Sequence, residues 1–149
     1  MFSSILVPCD ISYNDNHWLR STIAVARDIT EKHEARLHFI TVVPDNLLKG
    51  FFPNMYEEEL VEKARDRLEA IVSENLPGSV EREVHVRTGG ICSEIIRAAR
   101  DIPADLIVLA SHGPILADYL LGSNASHVSL HAPCSVFIVR AKPEAPTDG

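Results

Sequence analysis

The stretch Asp105–Arg140, DLIVLASHGPILADYLLGSNASHVSLHAPCSVFIVR, constrains the fold of this chain more than any other. It opens on the apolar run Leu106-Ile107-Val108-Leu109-Ala110, held between Asp105 and Ser111. A run this short and this rich in branched side chains reads as a strand covered on both faces, as parallel sheets require. The turn residues Ser111-His112-Gly113-Pro114 stop it. Gly122-Ser123-Asn124 follow after a spacer, and Ala125, Val128 and Leu130 then recur at helical spacing until Pro133. Val136-Phe137-Ile138-Val139 reads as a second buried strand. The unit is strand, glycine loop, helix, strand. Amides at a helix start behind a glycine attract anions, because the dipole and the unpaired N–H groups point the same way. Phosphate is the natural ligand.

The rest of the chain repeats the alternation. Ile5-Leu6-Val7-Pro8 predicts a first strand ending at Cys9-Asp10, and the capping residues Ser12 to Asn16 predict a helix to about His33. Leu19, Ile23, Ala26 and Ile29 share one face of it. Arg36 to Val43 predicts the second strand, followed by a loop whose Phe51-Phe52-Pro53 suits either loop packing or a partner surface. Glu57-Glu58-Glu59 begin a helix to about Asn75, their charge matching the positive end of its dipole. Pro77-Gly78 breaks the chain, and Val80, Arg82, Val84 and Val86 alternate as a third, less buried strand. Thr88-Gly89-Gly90 turns into a helix carrying Ile91, Ile95, Ile96 and Ala99, closed before Pro103. The expected organisation is one domain over 1–142 and a flexible tail over 143–149.

Strands alternating with helices give a parallel sheet with right-handed crossovers and helices on both faces. Ligands of such sheets sit beyond the carboxyl ends of the strands, where strand order reverses. The junctions expected at that edge are Pro8-Cys9-Asp10, Thr41 to Pro44, Thr88-Gly89-Gly90 and Ala110 to Gly113. Asp10 has two readings there: an acceptor for a ribose hydroxyl or an amine, or a cap for the following helix.

Composition narrows the partners. At 149 residues and 46% hydrophobic the chain can bury one good core. A net charge of −7 without a basic cluster argues against nucleic acid. Cys9, Cys92 and Cys134 are odd in number and widely spaced, which suits neither a disulfide framework nor a zinc knuckle. The start of the chain does not read as a signal peptide, and no apolar stretch approaches membrane-spanning length. The expected compartment is the cytoplasm.

The motifs Ile5-Leu6-Val7-Pro8-Cys9-Asp10, the Gly89 turn, Leu109-Ala110-Ser111-His112-Gly113, Leu120-Leu121-Gly122-Ser123 and His131-Ala132-Pro133-Cys134-Ser135-Val136 resemble the universal stress protein family, over essentially the whole chain. Ala110-Ser111-His112 with Tyr119 to Ala125 is most similar to the enterobacterial F/G-type branch. The resemblance implies an α/β fold with an open five-stranded parallel sheet of order 3-2-1-4-5. It further implies a homodimer joined through the last strand, Val136 to Val139, and an ATP or AMP site in the nucleotide-binding branch. In that branch the residues matching Gly122, Ser123 and Asn124 hold the terminal phosphates. Those matching Asp10, Val42, Leu109 and Ala110 line the adenosine. Pro8, His112 and Gly113 complete the candidate set, His112 read as a phosphate contact rather than a loop residue only. The branch pattern is glycine, two residues, glycine, nine residues, glycine, then serine or threonine. Here Ala110 replaces the first glycine and the spacer from Gly113 to Gly122 is eight residues. An alanine costs little where φ is negative.

No catalytic set stands out. Ser111 and His112 are neighbours on an extended chain, so their side chains point to opposite faces. Asp10 and Asp118 suit an Mg ion bridging phosphates, but a base for water is not identifiable. His127 and His131 at i, i+4 lack a third ligand nearby, so no protein-held metal site is expected. The leading expectation is a nucleotide-binding stress regulator, with a nucleotide-free dimeric interaction protein and a weak ATPase as the alternatives.

Overall fold

The computed structural model describes residues 1–12, 17–45, 56–111 and 121–140. Strand β1 spans Ser4–Pro8, helix α1 His17–His33, β2 Arg36–Pro44, α2 Glu57–Asn75 and β3 Arg82–Gly89. Helix α3 spans Ile91–Asp101, β4 Leu106–Ala110, α4 Ser123–His131 and β5 Ser135–Val139. The strands form one parallel sheet in the order β3-β2-β1-β4-β5. This is the expected order.

Alternation along each strand divides the side chains between two cores. Ile5, Val7, Leu37, Phe39, Leu106 and Val108 meet Leu19 and Ile23 of α1 and Leu68 and Val72 of α2. Leu6, Ile40, Ile107 and Leu109 meet Ile95 and Ala99 of α3 and Ala125 and Val128 of α4. Both faces of the central strands are covered, which is why those strands read as unbroken apolar runs.

Three details differ from the sequence reading or bound it. Val80 lies outside β3, in a turn where its N–H donates to the Pro77 carbonyl at 3.1 Å. The strand instead continues through Thr88 and Gly89, which pair with Val43 and Pro44. The long β2 offers backbone partners that far, so the ladder outruns the hydrophobic alternation. Gly89 then turns the chain at φ +130°, a conformation that suits glycine. Helix α1 starts at His17, and residues 13–16, Phe51-Phe52-Pro53 and the tail all lie outside the described residues.

The pairing of β1 with β4 positions the site. At its lower end the two strands are clamped: the Asp105 N–H donates to the Ser4 carbonyl at 2.9 Å. The Asp105 carboxylate in turn accepts from the Ser3 N–H at 2.9 Å, the Ser3 hydroxyl at 2.9 Å and the Ser4 N–H at 3.1 Å. The registered pairs are Ile5 with Leu106 and Leu6 with Ile107, and there they stop. β1 goes on beside β2 to Pro8 and β4 beside β5 to Ala110, so the sheet opens between them.

Candidate functional site

The opening is a cavity of about 410 Å³. That lies within the range of small-molecule sites, about 300–1,000 Å³. Its position is the carboxyl edge of the sheet at the reversal of strand order. Residues from the ends of β1, β2 and β4 form the floor, and the start of α4 forms one wall. Cys9 N–H donates to the Ile40 carbonyl at 2.7 Å, the last contact of β1 with β2. Alternation along β2 then turns the Val42 amide and carbonyl toward the same side, past the end of β1 and into the opening. A donor and an acceptor on one rigid strand suit the edge of a flat heterocycle.

Helix α4 brings the start of its first turn to the opposite wall. Its N-cap is Gly122, whose carbonyl accepts the Ser126 N–H at 2.9 Å, and no side chain caps it. The Gly122 N–H donates to the Ser111 carbonyl at 2.7 Å, while Ser111 N–H donates to the Val139 carbonyl at 2.9 Å. These bonds hold the end of β4 and the start of α4 against each other. The amides of Ser123, Asn124 and Ala125 belong to the first turn and have no acceptor within the helix. All three residues border the cavity.

Of the residues expected from sequence, Pro8, Asp10, Val42, Leu109, Ala110, Ser123 and Asn124 meet around this cavity. Gly122 stands one residue behind the wall. His112, Gly113 and Asp118 lie outside the described residues. Asp10 Oδ1 accepts the Ser12 N–H at 2.9 Å, so the carboxylate organises the loop after β1 while also lining the cavity. Arg67 of α2 steadies that loop by donating to the Ile11 carbonyl at 2.6 Å. The Asn124 side chain accepts a hydrogen bond from the Cys92 thiol at 3.2 Å, tying α4 to α3.

A sequence model of the universal stress protein family matches residues 1–140. The chain belongs to this family. Universal stress protein G of Shigella flexneri is 29% identical over 145 residues, covering 94% of this chain and 100% of its own. Among solved structures, the universal stress protein UspA from Lactobacillus plantarum is 25% identical, with a TM-score of 0.69 over 93% of this chain and 98% of that one. Two more distant structures share the fold and were solved with ligands. One universal stress protein is in complex with cAMP, 20% identical with TM-score 0.60 over 95% of this chain and 99% of its own. The universal stress protein from Archaeoglobus fulgidus is in complex with dAMP, 17% identical with TM-score 0.62 over 92% and 97%.

Two features of this universal stress protein's cavity escaped the sequence reading. Ser111 reads from sequence as a turn residue and half of an unlikely serine–base pair, yet it borders the cavity fully buried, its Oγ without a hydrogen-bond partner among the described residues. An orphaned buried hydroxyl at a cavity wall calls for a partner. The apolar wall also draws on Trp18 and Leu19 of α1, Leu60 and Ala64 of α2 and Ile91 and Ile95 of α3. Helical periodicity marks several of these as inward-facing, but which ones reach the cavity depends on packing. Cys9, beside Asp10, is an inert thiol: burial foremost, with the Asp10 charge adding to it, pushes its pKa far above the ordinary cysteine range.

Proposed function

We propose that this universal stress protein binds an adenine nucleotide, ATP or AMP, in the cavity between β1 and β4 and acts as a regulator in the cytoplasm. The observation that carries the reading is the placement of the free first-turn amides of α4 on the wall of that opening. In this arrangement Val42 takes the adenine edge, Asp10 accepts from the ribose and the α4 amides hold phosphate oxygens. The Ser111 hydroxyl has a phosphate or ribose oxygen as its missing partner. The relatives solved with cAMP and dAMP support the choice of an adenylate. Asp10 is the one charged side chain among the described lining residues, so a triphosphate enters with its countercharge, as Mg-ATP. The free cysteines suit a reducing compartment.

The test removes one amide without breaking the helix. Ser123 occupies the first helical position, where proline is favoured, and Gly122 at φ −60° and ψ 152° already has the conformation a following proline requires. Ser123→Pro therefore deletes an N–H and leaves α4 in place, with Ser123→Ala as control for the hydroxyl. Ser123→Pro should lose about tenfold or more in ATP affinity by calorimetry, as expected for a hydrogen bond to a charged group. Unchanged affinity in Ser123→Pro sinks the assignment of phosphate to α4. Mass spectrometry of the denatured wild-type protein should release ATP, ADP or AMP.

A further inference from the structure

A second group of polar side chains, none of them lining that cavity, lies on β2 and β3 on the α3 face. β2 and β3 are in register with His38 opposite Glu83 and Ile40 opposite His85, so His38, Glu83 and His85 project from one face. His38 Nδ1 is 3.0 Å from His85 Nε2 and 3.2 Å from Glu83 Oε2, and His85 Nε2 is 3.9 Å from Glu83 Oε2. Three lone-pair atoms from two strands thus converge on one point. A position equidistant from three atoms with these separations lies about 2.0 Å from each, the length of a Zn–N or Zn–O bond. From this geometry we infer that His38, Glu83 and His85 form a binding site for a divalent cation of the zinc class.

The surroundings suit that role. His38 is buried, 5% exposed, between Leu37 and Phe39 of β2, where an imidazole serves no packing purpose that leucine would not serve better. Each of the two imidazoles, in its neutral form, has one lone pair to offer a cation. The guanidinium groups that act on them are engaged elsewhere. Arg36 pairs with Glu81 at 3.0 Å, Arg87 with Asp101 at 2.8 Å, and Arg65 donates to the Val84 carbonyl at 3.2 Å. Glu83 is half-exposed on the edge strand, which gives the ion a route in and leaves room for water as a fourth ligand. Two histidines and a glutamate with one open position is a zinc ligand set. The bound ion would pin the edge strand β3 to β2, next to Ile40, which pairs with His85 and lines the cavity.

The experiment uses the untagged full chain, stripped with chelator and titrated with Zn²⁺ against a chromophoric competitor. One equivalent per chain should bind, and Co²⁺ at the same site should give visible d–d bands. Glu83→Gln changes a half-exposed side chain and His85→Gln a partly exposed one, so both should fold. Each should weaken Zn²⁺ by about tenfold or more and abolish the Co²⁺ bands. His127→Gln should change neither, because His127 and His131 are the competing pair on α4. Failure to take Zn²⁺ from the competitor overturns the site and leaves the three side chains a hydrogen-bonded group only. Zn²⁺ affinity unchanged in Glu83→Gln and His85→Gln overturns it equally.

Discussion

At the scale of single residues, the departure of this chain at Ala110 from the glycine pattern of the nucleotide-binding branch it resembles has a local answer. Ala110 is the last residue of β4, paired with Val139, and is not among the residues with positive φ. Its methyl group sits on ordinary extended backbone, so a glycine is not required there by conformation. Ala110→Gly should therefore change nucleotide affinity by less than about threefold, while lowering stability by about 0.5–1 kcal/mol through the looser unfolded chain. A gain of tenfold or more in affinity would show instead that the methyl crowds the ligand. Ser123 and Gly122 divide their work differently from what the motif alone suggests. The Gly122 amide secures the Ser111 carbonyl, and the amides that follow it are the ones open to an anion.

At the scale of elements, the decisive pair is β1 and β4, clamped at one end and open at the other. Asp105 makes the clamp, and its titration tests it. Burial tends to raise its carboxyl pKa, but the hydrogen bonds from Ser3 and Ser4 outweigh this and hold it below the ordinary value of 3.8. A group with a depressed folded pKa stabilises above its unfolded pKa, and that contribution is lost as pH falls toward the folded one. Asp105→Asn should thus be less stable than wild type at pH 7, by about 1 kcal/mol. Partial solvent exposure keeps the figure at the low end for charged hydrogen bonds. Urea midpoints of the two proteins should converge as pH drops through 3.8, the ordinary carboxyl value. A gap of the same size at about pH 3 would mean that the ionised carboxylate is not what joins the strands.

At the scale of the whole molecule, the sheet ends in two different edges. β3 is tied down by Arg87, which pairs with Asp101 and Glu94 of α3. β5 leaves Phe137 46% exposed on a short apolar edge strand. Such an edge invites pairing with another chain, and a homodimer through Val136 to Val139 is the arrangement we propose. Wild type should sediment as a dimer at micromolar concentration and Phe137→Glu as a monomer, since the charge would be desolvated at the contact. A wild-type monomer under these conditions refutes the arrangement. No helix among the described residues is long and apolar enough to cross a membrane.

Much of this was legible along the chain, because periodicity and turn chemistry are local. Apolar runs such as Leu106 to Ala110 are what a strand buried on both faces requires, and their alternation with amphipathic helices leaves few topologies open. The candidate residues at strand ends and at Gly122-Ser123-Asn124 could be named for the same reason: one side of the sheet gathers every strand-to-helix junction. What the tertiary structure alone decided was register and separation. No local pattern says that β1 and β4 stop pairing after Leu6 and Ile107, or that Ser111 ends buried without a partner. Nor does any say that His38 stands opposite Glu83, two residues from His85 on the same face. Those facts depend on how two packed cores position strands distant in sequence, and a slip of one residue would have turned each side chain to the other face.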